Sequence, residues 1–365
     1  MIVNCYNTQV PAWAGKTKPI VNFGENRSMI TLKDIAAEAG VSITTVSNVV
    51  HNRKSRVSPE LVKKIEKIIQ REHYAPSMSA RSLANDQSNI IGVITHLSPE
   101  NTGSTVADPF MSSFVDSIEK RIRAEGYYLM IRAVEDAVAL ASLSRSWRLS
   151  GLILTGMFQD EFFSTIRELG VPYVLIDSYV DDPEACRIGL EDEKGGYIAT
   201  RHLLEKGHRT IAFTSPAIRE GGVIEKRFQG YRRALEDYNI PFDPSLVFTQ
   251  EITVEQGKAL GRKLAARKEI TGIFASADIL AAGIMAGLSE RGVNVPADKS
   301  VIGFDDNYLS QLTIPGLTTI HQDADRKGIL ATDFILKQLR NEPIAEKNII
   351  LPVHLVERGS VLPPR

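Results

Sequence analysis

Apolar positions along this chain keep a helical period from Met29 to Arg71 and change character near Asn89. In the first region Leu32, Ile35, Ala36 and Ala39 recur at spacings of three and four, which predicts a helix with one buried face. Thr31 with Asp34 three residues later has the form of a capping box, and Gly40 is a natural stop. Ser42 can cap a second helix whose inner face is Val46, Val49 and Val50. Ser58 and Pro59 open a third, with Leu61, Ile65, Ile68 and Ile69 as its buried stripe. Two helices joined by a tight glycine turn, with a third closing the core, predict a small all-α helix-turn-helix head.

From Asn89 short apolar runs alternate with amphipathic stretches. Strand candidates are 90–94, 128–131, 151–155, 173–176, 210–213, 272–275 and 301–304, and helices are expected over 114–125, 198–206 and 227–238. This alternation predicts parallel sheets wrapped by helices, with enough strands for two α/β lobes. Ligands of such folds sit at the carboxyl ends of strands, and a cleft between two lobes is a favoured site.

The stretch GVSITTVSNVVHN, residues 40–52, stands out against this frame. Hydroxyl and amide side chains compete with the backbone for hydrogen bonds and are mediocre helix formers. A helix that carries Ser42, Thr44, Thr45, Ser47 and Asn48 has something outside the protein to bond. Charge points the same way. Residues 29–88 carry nine Lys+Arg against six Asp+Glu, whereas residues 89–365 carry 31 against 37. A basic head on an acidic body is the distribution expected when only the head meets a polyanion.

Other classes are disfavoured. Cys5 and Cys186 are far apart and lack metal-ligand spacing, which fits a reducing cytosol and neither a disulfide framework nor a structural zinc site. No apolar run approaches the roughly 18 residues of a membrane span. Residues 1–28 have no signal-peptide core and no regular period; they read as a disordered extension or as sequence upstream of a start at Met29. There is no GxGxxG after a strand, no GxxxxGK[ST], no HExxH and no GxSxG. His202 and His208 do not form a cluster. Asp305 and Asp306 follow a strand, but neighbours in an extended segment point to opposite sides and are not expected to share a proton. No catalytic group, metal or cofactor is expected.

The segment from MITLKDIAAEAG to SMSARSL resembles the DNA-binding head of the lactose-repressor/galactose-repressor (LacI/GalR) family, and HLLEKGHRTIAF, RFQGYRRAL, VPADKSVIGFDD and PGLTTIHQD resemble its ligand-binding core. The resemblance implies a bacterial transcription regulator, most often a repressor. Such regulators bind palindromic double-stranded operators as dimers or tetramers and respond to a sugar, nucleobase or phosphorylated metabolite. It implies a periplasmic-binding-protein-like core of two Rossmann-like lobes joined by three chain crossings. Carried over by position, Ile43, Thr44 and Asn48 read bases, while Ser42, Thr45 and Ser47 bond phosphates and fix the register; His51 and Asn52 continue this face. Where many members have Arg, a guanine reader, this chain has Asn48, whose amide pairs bidentately with adenine. Ile43 meets a thymine methyl or packs at the turn. SMSARSL resembles the hinge helix, with Arg81 on DNA and Leu83 as the wedge that kinks the central minor-groove step.

For the effector the resemblance points to Phe110, Met111, Arg227 and Asp278. Arg offers a planar fork of donors, Asp accepts, and an aromatic face covers the C–H side of a sugar or a base. Ile252 stands where several sugar-binding relatives carry an aromatic residue. The implied organisation is an extension (1–28), a helix-turn-helix domain (29–77), a hinge (78–88) and a core (89–365). In the core, lobe 1 spans about 89–190 and 321–350, and lobe 2 about 191–318 and 351–365. The resulting expectation is a cytoplasmic homodimer whose operator affinity is set by a carbohydrate-like effector. No leucine heptad follows VERGSVLPPR, which argues against a coiled-coil tetramer tail. The alternatives are a periplasmic-type solute-binding protein, which has no use for a basic head, and an enzyme on a Rossmann-like scaffold, which lacks its catalytic constellation.

Overall fold

The computed structural model describes residues 30–50, 53, 56–74, 88–96, 106–158, 161–178, 180 and 182–365. The extension 1–28, His51, Asn52, and most of the hinge with Arg81 and Leu83 lie outside the described residues. Two compact units divide between Arg81 and Ser82.

The head contains α1 (Leu32–Ala39), α2 (Ile43–Val50) and α3 (Pro59–Arg71). Its capping box forms in full. Asp34 N–H donates to Thr31 Oγ1 at 3.3 Å, and Thr31 N–H donates to the Asp34 carboxylate at 2.8 Å. Gly40 ends α1 in the left-handed region at φ 72°, where a Cβ is penalised. Lys64 Nζ, reaching back from α3, donates to the Ala39 carbonyl at 2.9 Å. Ile35, Ala36, Ala39, Val46, Val49, Ile65 and Ile68 form the core as expected, joined by Val62. Leu61 and Ile69 lie at its margin. Ser58 precedes α3 but makes no side-chain cap bond.

The second unit contains two six-stranded sheets. The first holds β1 (Ile90–His96), β2 (Tyr128–Val134), β3 (Gly151–Thr155), β4 (Tyr173–Ile176), β5 (Cys186–Leu190) and β11 (Asn348–Leu351), in the order β11-β5-β4-β3-β1-β2. The second holds β6 (Ile211–Ser215), β7 (Val247–Thr249), β8 (Gly272–Ala275), β9 (Ser300–Asp305), β10 (Thr318–His321) and β12 (His354–Val356), in the order β12-β10-β9-β8-β6-β7. The two orders are equivalent strand for strand. All pairs are parallel except β10 with β12. β3, β6, β8 and β9 are buried along their whole length, which is why each reads as an unbroken apolar run.

Helices α4 (Pro109–Ala124), α5 (Ala137–Trp147), α6 (Glu161–Glu168) and α12 (Ala324–Leu339) cover the first sheet. Helices α7 (Asp192–Glu205), α8 (Val223–Asp237), α9 (Val254–Leu264) and α10 (Asp278–Ser289) cover the second, and the short α11 (Tyr308–Leu312) follows β9. The chain crosses between sheets after β5, after β10 and after β11. α4, α7 and α8 begin four to six residues before the amphipathic stretches that announce them; α7 opens on the polar DEKG, whereas α4 opens on PFMS and α8 on VIEK. At α4, Asp108 accepts from Phe110 N–H at 3.0 Å and Pro109 occupies the first turn. Five strands were not expected: β5, β7, β10, β11 and β12. Each has three to five residues, too few to carry a period.

One crossing fixes the geometry of the second lobe. α7 and α8 touch backbone to backbone: a Cβ on Gly196 would lie 2.0 Å from the Arg227 carbonyl oxygen, and one on Gly230 would lie 2.0 Å from the Glu193 carbonyl oxygen. Neither neighbour is a side chain that can swing away. Gly230→Ala should therefore cost at least about 1–3 kcal/mol, the usual range for overpacking, measured as a lower urea midpoint for the core transition. An unchanged midpoint would mean that the two helices can separate freely.

Candidate DNA-binding face and effector cleft

On α2, Ser42, Ile43 and Thr44 are exposed and Thr45, Ser47 and Asn48 half-buried, while Val46 and Val49 point inward. Ile43 is 49 % exposed, so its side chain is open to a partner on this face. No acidic residue occupies the first turn, so the positive end of the helix dipole is unopposed and favours a phosphate. Ser42 has a duty beyond the expected phosphate contact. Its Oγ accepts from Thr45 N–H at 3.1 Å and lies 2.9 Å from Thr45 Oγ1, so it caps the helix that presents the face.

In the two-sheet unit, the strands' carboxyl ends bring groups of both lobes into electrostatic contact. Arg227, on the first turns of α8, is 7 % exposed. Its Nε donates to Asp192 at 2.8 Å and Nη1 to the Ser276 carbonyl at 2.7 Å, and the guanidinium lies 3.6 Å from the centre of the Phe304 ring. Asp108, at the start of α4 in the other lobe, feels the Arg227 charge; burial nevertheless holds its carboxyl above the usual range. Phe110 lies parallel to Phe114, with ring centres 6.4 Å apart, and the Lys327 ammonium is 5.0 Å from its centre. Met111 packs beside them, half-buried against the core. Phe158 of lobe 1 lies under Arg219 of lobe 2 at 3.9 Å.

Asp278 lies beside this group, next to Asp305. It has no exposed surface, its Oδ1 accepts from Thr319 Oγ1 at 2.6 Å, and its Oδ2 accepts from Asn307 N–H at 3.0 Å. Burial, with the Asp305 carboxylate beside it, pushes its pKa well up. Through these bonds the carboxyl fastens the β9–α11 loop and β10 to the start of α10. After its ion-pair partner Asp192, the acid that Arg227 feels most is Asp305, the last residue of β9. Its Oδ1 accepts from Gln322 Nε2 at 2.6 Å, and its backbone adopts φ 119°. Its neighbour turns the other way: Asp306 bonds Arg358 at 2.6 Å and His321 at 3.0 Å. The adjacent pair is split as expected, but by left-handed backbone at both residues (φ 119° and 58°) and not by extended alternation, and Asp305 turns towards the cleft. The signal that could have found it is its place at a strand's carboxyl end. Ile252 is half-buried and packs against the α9–α10 core.

Among the described residues no group of His, Cys, Asp and Glu could hold a metal ion, and no helix is long and apolar enough to cross a membrane.

Burial raises the Asp305 pKa to about 7, with Asp108 adding and Arg227 opposing. An acid with a raised folded pKa contributes stability that is fully present below its unfolded pKa, near 4, and is lost as pH rises towards 7. Asp305→Asn should therefore gain on the wild type between pH 4 and 7, by about 1.4 kcal/mol for each unit of true shift, read from urea unfolding at stepped pH. Parallel stability curves would show that Asp305 is already ionised at pH 5.

Residues 31–77 match the family described as bacterial regulatory proteins, lacI family, and residues 200–361 match a periplasmic binding protein-like domain. The chain is 30% identical over 343 residues to the HTH-type transcriptional regulator DegA of Bacillus subtilis, covering 91% of this chain and 98% of that one. It is 30% identical over 340 residues to the HTH-type transcriptional repressor PurR of Vibrio atlanticus, covering 91% and 99%. Among solved structures, a lac repressor dimer bound to operator and the anti-inducer ONPF is similar with TM-score 0.77 and 29% identity, covering 92% of this chain and 100% of that one. A CelR–cellobiose complex is similar with TM-score 0.66 and 26% identity, covering 91% and 99%. By this likeness over nearly its whole described length, the chain belongs to the lacI family of bacterial regulatory proteins.

Proposed function

We propose that this protein is a homodimeric repressor that binds a palindromic operator through α2 and changes its operator affinity when a neutral, carbohydrate-like molecule binds between the core lobes. The observation that carries the reading is the outer face of α2: a helix of middling propensity, capped by its own Ser42, with an exposed isoleucine and an unopposed positive end. Base-edge contacts come from Ile43, Thr44 and Asn48, and phosphate contacts from Ser42, Thr45 and Ser47. Operator binding gives the protein its place in the cytoplasm.

The effector class follows from charge. Arg227 is paired with Asp192 and Lys327 with Asp177 at 2.8 Å, so neither cation is left over for a phosphate or carboxylate. Asp305 and the half-exposed Phe110 suit a ligand with hydroxyl donors and a C–H face. Cellobiose and ribose, each bound by a similar protein of known structure, are the first probes. For the dimer, Leu312 and Ile314 are 70 % and 97 % exposed beside α11, apolar surface of the kind a second copy covers.

Selection from random palindromic duplexes tests the DNA reading. Wild type should prefer adenine at one symmetric position per half-site, and Asn48→Arg should shift that preference to guanine by about 1–3 kcal/mol. An Asn48→Arg variant that keeps the wild-type preference everywhere would remove Asn48 from base reading. Ser42 needs two substitutions, because Ala removes cap and phosphate contact together. Ser42→Asp keeps the cap and repels phosphate, so it should weaken all duplexes while α2 stays folded by circular dichroism.

A further inference from the structure

Asp177 and Asp305 occupy equivalent places in the two lobes. Asp177 follows β4 and Asp305 ends β9, and β4 and β9 hold the same position in sheets of the same order. Both have left-handed backbone, with φ 49° and 119°. Backbone of this kind is strained for a residue with a side chain and persists only where the surroundings fix it.

Lys327 joins them. It sits in the first turns of α12, just after the crossing from β10, and has no exposed surface. Its Nζ donates to both oxygens of Asp177 at 2.8 Å and to Gln322 Oε1 at 3.0 Å. Gln322, on the crossing itself, donates through Nε2 to Asp305 at 2.6 Å. One amide thus faces an ammonium on one side and a carboxylate on the other, and the chain Asp177–Lys327–Gln322–Asp305 runs from one sheet to the other. An apolar side chain would fill the space under α12 without the desolvation cost of an ammonium, so packing alone does not account for the charge. The Asp177 side chain keeps 19 % of its surface exposed, so its carboxylate is not consumed by the pair.

We propose that Lys327 is a positioning residue of the effector cleft: through Gln322 it holds the Asp177 and Asp305 carboxylates, one from each lobe, at a fixed spacing, so that one ligand meets both. This rests on the effector reading above. In this arrangement the lysine acts on the spacing of the lobes; it does not touch the ligand.

The test uses no effector, so its outcome is separate from that of the effector reading, which fails if no sugar probe binds. Nitroxides at Val138→Cys and Glu255→Cys, in full-length protein with Cys5 and Cys186 replaced by Ala, report the distance between the start of α5 and the start of α9. Both sites are exposed, and each lies next to an edge strand of its lobe, where a hinge motion is amplified. With the labelled chain diluted into excess unlabelled protein, so that a dimer carries one labelled copy, double electron–electron resonance should give one narrow distribution for the parent protein. Lys327→Met should shift or broaden it by about 2 Å or more, the size of an ordinary hinge rearrangement. Asp177→Asn should do the same, and the double variant should add nothing further, since both cut one chain. A Lys327→Met distribution that superposes on the parent, in protein that still melts cooperatively, overturns the proposal. If Lys327→Met does not fold, the near-isosteric Asp177→Asn carries the test alone, with the same two outcomes.

Discussion

A guanidinium with almost no exposed surface is the constraint on which the second lobe depends. Burying Arg227 is tolerable only because every approach to it is arranged: Asp192 on its Nε, the Ser276 carbonyl on Nη1 and the face of Phe304 beneath. Each partner comes from a different element, α7, the end of β8 and the end of β9. Their convergence requires α7 and α8 to touch, and that contact is available only because Gly196 and Gly230 lack side chains. The strand ends, the helix crossing and the buried charge are one structure. Losing any partner leaves an uncompensated cation, a larger penalty than the pair itself is worth.

The head is held together differently. Its core is small, and its helices are short enough that termini carry much of the stability. Thr31 and Asp34 close the first turn of α1, while Gly40 and Lys64 close the last. Ser42 and Thr45 start α2 with the atoms that also face outward. Under the proposed DNA reading, recognition and folding share side chains here, and the hydroxyls of this helix have two uses. Part of the polar face is owed to a nucleic-acid partner, and part is the cap that keeps the face helical at all.

What the chain discloses in advance follows from how local the cause is. The head was legible nearly to the residue because capping and periodicity act within four positions. The buried strands β3, β4 and β8 were legible because burial on both faces writes a continuous apolar run. The strands β10, β11 and β12 were not, since they exist only where a sheet edge already waits for them. The cleft was half legible. Arg227 and Phe110 carry their chemistry in a recognisable motif, whereas Asp278 and Asp305 differ only in which way a loop turns. Asp278 is held by Thr319 and Asn307 and Asp305 by Gln322, partners at least seventeen residues away in sequence that no local pattern announces.

The likeness of the two sheets gives the cleft a symmetry that a ligand can use. A ligand shifts the lobes only by as much as it distinguishes one arrangement from another. Contacts confined to one lobe distinguish nothing, because they survive any rotation of the other. Contacts to Asp177 and Asp305 together do distinguish, since these acids sit at equivalent strand ends on opposite sides. Gln322 sharpens the difference. Its amide has a direction, oxygen towards Lys327 and nitrogen towards Asp305, and a rotation that separates the lobes breaks one bond or the other without offering a substitute. A link of this kind is either made or unmade, so under the proposed role of Lys327 it would favour discrete arrangements of the lobes where a purely apolar contact would allow a continuum.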